Sequence, residues 1–322
     1  MRRALSGIVI LIVLAITTAA VYVASRQHLR FNAPEPAIAA SADTAVIARG
    51  HYVVRVVADC AACHGALDQR QAYRNGADVP LSGGYEFKIP PGEFRVRNIT
   101  PDAETGIGTI SDGKIARALR FGVGHDGRAL LPFMEMQGLS DEDLAAVISY
   151  LRSQPGVRHR VPDHHYNVLG RIVRATVLAN PVGPKSPPPP ESPRGATVEN
   201  GSYLAGSVAN CWACHTPRNP NTGQLTGTLY GGNPAFTDDF DPTRTWHPPN
   251  LTPDPKTGRS ALFTEDQFVD RFHAGRIIPG SPMPWQAYRQ MSDDDIRAIY
   301  RFLQTLEPVE NDVGPPFVVN RG

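Results

Sequence analysis

The sequence predicts a mainly α-helical protein in which two tandem domains follow an N-terminal apolar helix. This prediction rests on a duplication. A Cys-x-x-Cys-His motif, an Asn-x-Thr-Pro-Asp motif and a Ser-Asp-rich helix start each occur twice, in the same order. The pairs begin at residues 60 and 211, 98 and 250, and 140 and 292. Offsets of 151, 152 and 152 residues across three landmarks indicate one duplicated domain.

Cys-x-x-Cys-His is the attachment motif of c-type haem. Two thiols three residues apart can each form a thioether to one haem edge, and the adjoining histidine then supplies the proximal nitrogen to the iron. The sequence therefore predicts two covalently bound haem c groups, each enclosed by a few helices. The candidate haem-binding residues, which include all four cysteines, are Cys60, Cys63, His64, Cys211, Cys214 and His215.

Two other uses of the cysteines are less consistent with the pattern. A disulfide or a redox Cys-x-x-Cys pair does not require a following histidine, yet one is present both times. A zinc site built from both pairs would leave the two histidines unexplained.

Composition sets wide limits on function. A length of 322 residues is typical of about two domains, and 41% hydrophobic with 20% charged residues is ordinary for a globular protein. Thirty prolines and 29 glycines predict long loops. The formal net charge of +1 lacks the basic excess expected of a nucleic-acid-binding protein.

Residues 1–30 are predicted to be a signal anchor that crosses the membrane. A basic start precedes an apolar run of 17 residues, from Ile8 to Ala24, that two threonines interrupt. This length lies between a signal-peptide core of about 7–15 residues and a membrane span of about 17–25. We favour an uncleaved anchor, with a cleaved signal peptide as the alternative. Both place the remainder in the periplasm, and the anchor would hold it at the bacterial inner membrane.

The first domain is predicted to span residues 44–157. A valine-rich helix leads into Cys60, and the Gly/Pro-rich stretch from Gly65 to Gly92 predicts a loop. Thr100 is placed to cap a short helix that would begin at Pro101.

Two further helices are expected in this domain. Residues 111–121 predict one, with Ile115, Ala118 and Leu119 on one side. The second begins at Ser140, an N-cap residue followed by acidic residues in the first turn. Leucines at 139 and 144 form a hydrophobic staple, and the apolar positions 144, 147, 148 and 151 give an amphipathic stripe.

The second domain, residues 196–312, repeats this order. The linker between the domains, residues 158–195, contains two different segments. Residues 166–179 predict a helix that either packs on a haem domain or lies on the membrane surface. Residues 181–193 include four consecutive prolines and predict an extended polyproline II spacer.

Methionines are the candidate distal ligands. Apart from Met1, all of them lie shortly before the final helix of each repeat. Met283 lies between two prolines that restrict the backbone, and Met134 also follows a Pro-containing segment at a similar distance from its motif histidine. We therefore predict Met134 and Met283 as the metal ligands. Met136 remains the alternative in the first domain, whereas Met291 has the staple position of the last helix.

Several histidines are weaker candidates for metal binding. His125 and His273 precede the methionines and could compete with them, but a polar loop role is more common. A metal site could also be imagined among His159, His164 and His165, although their spacing fits no fixed pattern. Ligation by His and Met would close both axial positions and leave electron transfer as the chemistry.

With these residues in place, the chain resembles the membrane-associated multihaem cytochromes c that are subunits of periplasmic alcohol and gluconate dehydrogenases. The resemblance covers residues 44–157 and 196–312. The motifs that carry it are Ala48-Arg49-Gly50-x-Tyr52, Asn98-Ile99-Thr100-Pro101-Asp102, Thr105-Gly106-Ile107-Gly108, His125-Asp126-Gly127-Arg128, Leu130-x-Pro132-x-Met134 and the Ser140 helix. It implies two tandem cytochrome c-like domains and an electron-transfer function without enzymatic activity of the chain itself.

The resemblance also implies partners. A periplasmic dehydrogenase subunit, or quinol, would donate electrons, and an oxidase, a quinone or a soluble cytochrome would accept them. Two features depart from the family. Many members carry three haem motifs where this sequence has two, and Glu135 follows Met134 where the family often has proline.

Two alternative functions accompany this interpretation. A dihaem peroxidase would need one haem able to open a coordination site, and a gas or redox sensor would need a signalling domain. Arg95, Arg97 and the two Asn-x-Thr-Pro-Asp loops could contact haem propionates, or they could have an ordinary loop role.

Overall fold

We describe a computed structural model, in which residues 2–219, 224–237 and 242–320 are described. Met1 of the basic start and residues 220–223 and 238–241 of the expected second domain therefore lie outside the described residues. The α-helices are α1 (Arg2–Ser25), α2 (Thr44–His51), α3 (Ala61–His64), α4 (Arg70–Arg74), α5 (Asp112–Phe121), α6 (Asp141–Ser153), α7 (Val168–Thr176), α8 (Val198–Tyr203), α9 (Glu265–His273), α10 (Trp285–Tyr288) and α11 (Asp293–Gln304). The strands are β1 (Glu86–Ile89), β2 (Gly92–Arg95), β3 (His165–Tyr166), β4 (Phe236–Thr237), β5 (Arg244–Trp246) and β6 (Phe317–Val319).

Helix α1 has no buried residue. By length and composition it is long and apolar enough to cross a membrane. The helix is therefore compatible with the membrane anchor that the sequence predicts.

Each repeat is built on a crossing between its first and last helices. In the first repeat α2 crosses α6 at Gly50, where an added Cβ would lie 1.9 Å from the carbonyl oxygen of Ala146. In the second, α8 crosses α11 at Gly201, with the same 1.9 Å distance to the carbonyl oxygen of Ala298. Only glycine permits backbones to approach this closely.

A π-helical turn follows the crossing in both repeats. Tyr52–Val57 and Leu204–Val208 are π-helices, and the amide after each donates to a carbonyl five residues earlier at 2.8 Å. The sequence predicts an ordinary valine-rich helix here. The π-turn buries Val54 in addition to Val53, Val56 and Val57. Such turns are rare and are often found at functional sites.

The predicted loop between Gly65 and Gly92 is partly wrong. It contains a 3-10 turn, α4 and strand β1, which pairs with β2 and then β3 in an antiparallel sheet. Strands β4, β5 and β6 form the matching sheet of the second repeat. The strands have two to four residues each, too few to show a reliable alternation of apolar and polar residues. The duplication therefore continues beyond residues 157 and 312, through β3 and β6.

The short helix predicted at Pro101 is also absent from the described structure around that residue, because Thr100 has other partners. Its hydroxyl donates to Asn98 Oδ1 at 2.7 Å, and the Asn98 side-chain amide donates to the Val157 carbonyl at 2.8 Å. Asn250, Thr252 and Val309 repeat this arrangement. The loops tie the chain after the last helix to the domain, which supports the ordinary loop role.

The other predicted helix starts are confirmed. Ser111, Ser140 and Ser292 each accept a hydrogen bond at their hydroxyl from the third amide of α5, α6 and α11, respectively. Leu139, Leu144 and Met291 are buried in the core, in keeping with the staple positions.

The segment between the repeats is packed against the first of them. Helix α7 forms within residues 166–179 as predicted, and Gly170 and Ala175 are its buried positions.

The proline-rich segment has neither helix nor strand. Its Pro189 and Pro190 carbonyls each accept a hydrogen bond of 3.0 Å from the first two amides of α6. These amides have no partner within the helix, so the spacer completes the α6 N-terminus.

A tyrosine of each repeat forms hydrogen bonds to the start of the last helix of the other repeat. Tyr203 of the second repeat donates to Asp143 Oδ2 at 2.7 Å and accepts from the Ser140 amide at 3.1 Å. Tyr52 of the first repeat donates to Asp295 Oδ2 at 2.6 Å and accepts from the Ser292 amide at 3.0 Å. Burial and the facing carboxylates raise the pKa of both tyrosines, so the hydroxyls stay protonated. Each domain thereby caps the last helix of the other, with approximate twofold symmetry.

Replacement of Gly201 by alanine should lower the free energy of unfolding by about 2 kcal/mol or more, because the added Cβ would collide with the Ala298 carbonyl. Guanidinium denaturation followed by Soret absorbance measures the effect. Gly206→Ala is the control, since the nearest atom to its new Cβ would be 3.7 Å away. Equal losses in the two variants would contradict a tight crossing.

Tyr203→Phe should cost about 1–3 kcal/mol, the usual range for a hydrogen bond to a charged group. Tyr52→Phe should cost less, because Ser140 and Asp143 are buried whereas Ser292 is exposed. The same denaturation assay compares them, with Tyr300→Phe, which loses a bond to the Phe263 carbonyl of its own domain, as a reference. A larger loss in Tyr52→Phe would refute this ranking.

Candidate haem sites

A cavity of about 900 Å³ lies in the first domain. Cys60, Cys63 and His64 line it together with both candidate distal ligands, Met134 and Met136. Its volume is in the range of sites that take a cofactor-sized molecule. The apolar side of α5 that the sequence predicts also faces it, through Ile115, Ala118 and Leu119.

Both motif histidines are held in the same way. His64 Nδ1 is 2.9 Å from the carbonyl oxygen of Arg97, and His215 Nδ1 is 2.8 Å from that of Pro249. A carbonyl can only accept, so Nδ1 carries the proton and Nε2 is left with its lone pair. Burial lowers the pKa of both imidazoles, which favours this neutral form. A histidine that ligates a metal typically has this arrangement.

The cysteines do not have the environment of a redox dithiol. None of the four is joined in a disulfide bond. Burial raises the pKa of Cys60 and of Cys211 to about 12, whereas reactive cysteines have lowered values. Across residues 2–219, 224–237 and 242–320, no group of three or more His, Cys, Asp or Glu is placed to hold a metal ion. The two pairs therefore do not form a shared zinc site.

The residue before each motif has a left-handed backbone. Asp59 has a φ of 44° and Asn210 a φ of 49°. Asn and Asp tolerate this region better than other residues with a side chain. The Asn210 side chain donates to the Glu135 carbonyl at 3.0 Å, within the methionine segment of the other domain. The sharp turn after the π-helix thus begins each Cys-x-x-Cys-His segment, and in the second repeat it also contacts the first domain.

Of the distal candidates, Met283 packs against the hydrophobic core. Met136 also packs against it, as expected of a residue that fills a gap in the core, but it lines the cavity as Met134 does. The choice between Met134 and Met136 remains a prediction. His273 has both ring nitrogens occupied, by the Arg289 carbonyl at 2.9 Å and the Asp293 carboxylate at 2.8 Å.

The remaining histidines have separate surroundings. His125 is exposed at the cavity edge. His159 Nδ1 lies 2.8 Å from the Ser82 carbonyl, and His164 Nδ1 accepts from the Arg95 amide. Burial and the charge of Arg97 lower the pKa of His164 to about 4, so this ring stays neutral. The described residues therefore provide no metal site of three histidines.

Arg95 and Arg97 line the cavity but already have protein partners. Arg95 pairs with Glu86 at 2.5 Å, and Arg97 pairs with Asp163 at 2.9 Å. These contacts favour an ordinary structural role. Residues from outside the expected first domain also form part of the cavity wall. They are Arg26, Leu29, Phe31, Asp163, His164, Tyr166, Arg174 and Leu178. No motif marks them, because chain folding alone brings them to the site.

The second domain contains a cluster of aromatic side chains. Phe272 lies 5.0 Å from Phe268 and 5.7 Å from Trp285 between ring centroids, and all three belong to the core that contacts Cys211 and Met283. Counted from the N-cap of α5 and of α9, Ile115 and Leu119 of the first domain occupy the positions of Phe268 and Phe272 in the second. The repeats therefore share a backbone plan but differ in the walls of their sites.

Comparison with known proteins gives a consistent result. The Cytochrome c family model matches residues 47–155 and 198–307. The cytochrome c subunit of a quinone-dependent alcohol dehydrogenase from Gluconobacter oxydans is 32% identical over 283 residues, which are 84% of this chain and 57% of that protein. The fructose dehydrogenase cytochrome subunit of Gluconobacter japonicus is 28% identical and is matched over 91% of this chain and 58% of its own length.

A dihaem cytochrome c-type protein of Cereibacter sphaeroides is 26% identical, over 78% of this chain and 83% of that protein. The chain thus spans less than two thirds of the length of the two dehydrogenase subunits. The comparisons lend no support to the peroxidase alternative.

Asp59 should make stability depend on pH. Burial raises the pKa of its carboxyl to about 7, and its Oδ1 has no hydrogen-bond partner. Between about pH 4 and 7 the folded state holds a proton that the unfolded chain lacks, so stability falls as pH rises. In Asp59→Asn, the fall in the free energy of unfolding over this pH range should be smaller by up to about 4 kcal/mol. Denaturation midpoints at several pH values test this, with exposed Asp68→Asn as the control; an unchanged slope in Asp59→Asn would contradict it.

Proposed function

The chain belongs to the cytochrome c family, and we propose that it is the dihaem electron-transfer subunit of a membrane-bound periplasmic dehydrogenase. It contains two cytochrome c domains with two covalently bound haem c groups. The observation that carries the proposal is the matched pair of motif histidines, each with Nδ1 on a backbone carbonyl and Nε2 free for iron. Such fixed axial ligands suit repeated one-electron transfer.

We assign a role to each site residue. The thioether bonds are made by Cys60 and Cys63 in one domain and by Cys211 and Cys214 in the other. The proximal ligands are His64 and His215, and the distal ligands are Met134 and Met283. Held by one histidine and one methionine in each domain, the haem iron would supply a one-electron couple at a raised potential and would offer no site to a substrate.

The protein surroundings serve this chemistry by limiting rearrangement. The backbone carbonyls of Arg97 and Pro249 fix the tautomer and direction of the two imidazoles. Met283 packs against the buried core, which limits its movement. The hydrogen bonds of Tyr52 and Tyr203 to the opposite domain keep the distance between the two haem sites constant, as electron transfer between them requires.

The location and partners follow from α1 and from the relatives. Helix α1 anchors the chain in the bacterial inner membrane, and Arg2 and Arg3 at its start favour a cytoplasmic N-terminus. The haem domains then lie in the periplasm. The named relatives are subunits of alcohol and fructose dehydrogenases, so a dehydrogenase is the donor that we propose. An oxidase, a quinone or a soluble cytochrome takes the electrons onward.

Absorption spectra of the protein purified from membranes test the ligands and the function together. The oxidised protein should show a methionine–iron charge-transfer band from two haems. Met134→Leu and Met283→Leu should each remove about half of the band, because one Met–Fe bond is lost in each. Met136→Leu is the matched control and should keep the full band.

Electron transfer is then measured with the dehydrogenase that co-purifies, which should reduce both haems when its substrate is added. Loss of the band in Met136→Leu alone would move the distal ligand to Met136. Turnover of hydrogen peroxide by the mixed-valence protein would overturn the electron-carrier function in favour of a peroxidase.

A further inference from the structure

Helix α7 exposes an apolar stripe. Val168, Leu169 and Ile172 are 76%, 46% and 43% exposed. At 100° per residue they share one face of the helix with Thr176. Val177, in the turn that follows, is exposed as well. A run of large exposed apolar side chains on one face is typical of an interaction surface.

The opposite face of α7 is fixed to the first domain. A Cβ on Gly170 would lie 2.0 Å from the Pro91 carbonyl oxygen, and Ala175 is completely buried. The Arg174 guanidinium lies 5.2 Å from the Tyr166 ring centroid and lines the first haem cavity. The helix therefore cannot rotate to bury its apolar stripe, which must meet solvent or another partner.

The position of α7 identifies that partner. Directly after α1, Arg26 Nε donates to the Ala175 carbonyl at 2.8 Å, and the Gln27 amide donates to the Arg171 carbonyl at 2.9 Å. These bonds hold α7 at the end of the apolar stretch of α1, which is the level of the membrane surface if α1 spans the bilayer. The exposed Arg171 lies beside the stripe, as in helices that bind anionic headgroups.

We propose that α7 lies in the interface of the bilayer that α1 crosses, with Val168, Leu169 and Ile172 among the acyl chains. The inference rests on the proposed anchoring by α1 and adds a second attachment that orients the first domain. Because Arg174 and Leu178 of the same segment form the cavity wall, the first haem site lies about one helix diameter, roughly 10 Å, from the lipid. The stripe is thus the membrane-facing side of the first domain.

Site-directed spin labelling of the full-length haem protein tests this. Single cysteines are introduced as Ile172→Cys, Leu262→Cys and Leu14→Cys, labelled with a nitroxide and reconstituted in vesicles of phosphatidylethanolamine and phosphatidylglycerol. Leu262 is the matched control, because it is 60% exposed but lies in the second domain. Haem content and visible spectra confirm that each variant is folded and loaded.

The measurement is the accessibility of each label to oxygen, which concentrates in lipid, relative to a water-soluble nickel chelate. We expect the ratio at position 172 to exceed that at 262 several-fold and to approach that at position 14. Equal ratios at 172 and 262, with a lipid-buried label at 14, would overturn the α7 proposal and leave the anchor intact. A label at 14 that is open to the nickel chelate would overturn both.

Discussion

The close crossing of the first and last helices is the constraint on which each domain depends. Gly50 and Gly201 bring two backbones together at the carbonyls of Ala146 and Ala298, where no side chain fits. This contact sets the direction in which the chain leaves the first helix. The π-turn and the left-handed residue that follow then aim the Cys-x-x-Cys-His segment into the domain interior. The haem ligands are therefore positioned by a backbone contact that lies outside the haem cavity.

The second level of organisation is the pairing of the two domains. Tyr52 and Tyr203 occupy equivalent positions, and each hydroxyl binds the serine cap and acidic residue of the other domain's last helix. One gene duplication thus produced both the folding unit and its partner. The walls have since diverged, with aliphatic side chains from α5 in the first domain where α9 provides phenylalanines in the second. Different potentials for two haems on one backbone plan would follow from this difference.

Local chemistry made some features predictable. Ser140 and the acidic residues after it specify a helix start within four consecutive residues. The haem motif is likewise contained in a few consecutive residues. Short strands such as His165–Tyr166 have no such pattern and form only when β2 is already in place. Thr100 has the sequence of a helix cap, but Asn98 and the Val157 carbonyl compete for its hydroxyl. Tyr52 could not be assigned its role because its partners lie about 240 residues later.

The proline-rich segment has a kinetic consequence. Its Pro189 and Pro190 carbonyls are bound to the α6 N-terminus, so the connection is held against the first domain shortly before the second domain begins. A tether of this kind keeps the second domain at a high effective concentration beside the first, even when the interface opens briefly. Re-closure is then an intramolecular event that outpaces diffusion to another molecule. Electrons would pass within the chain before either domain could exchange them with a competing carrier.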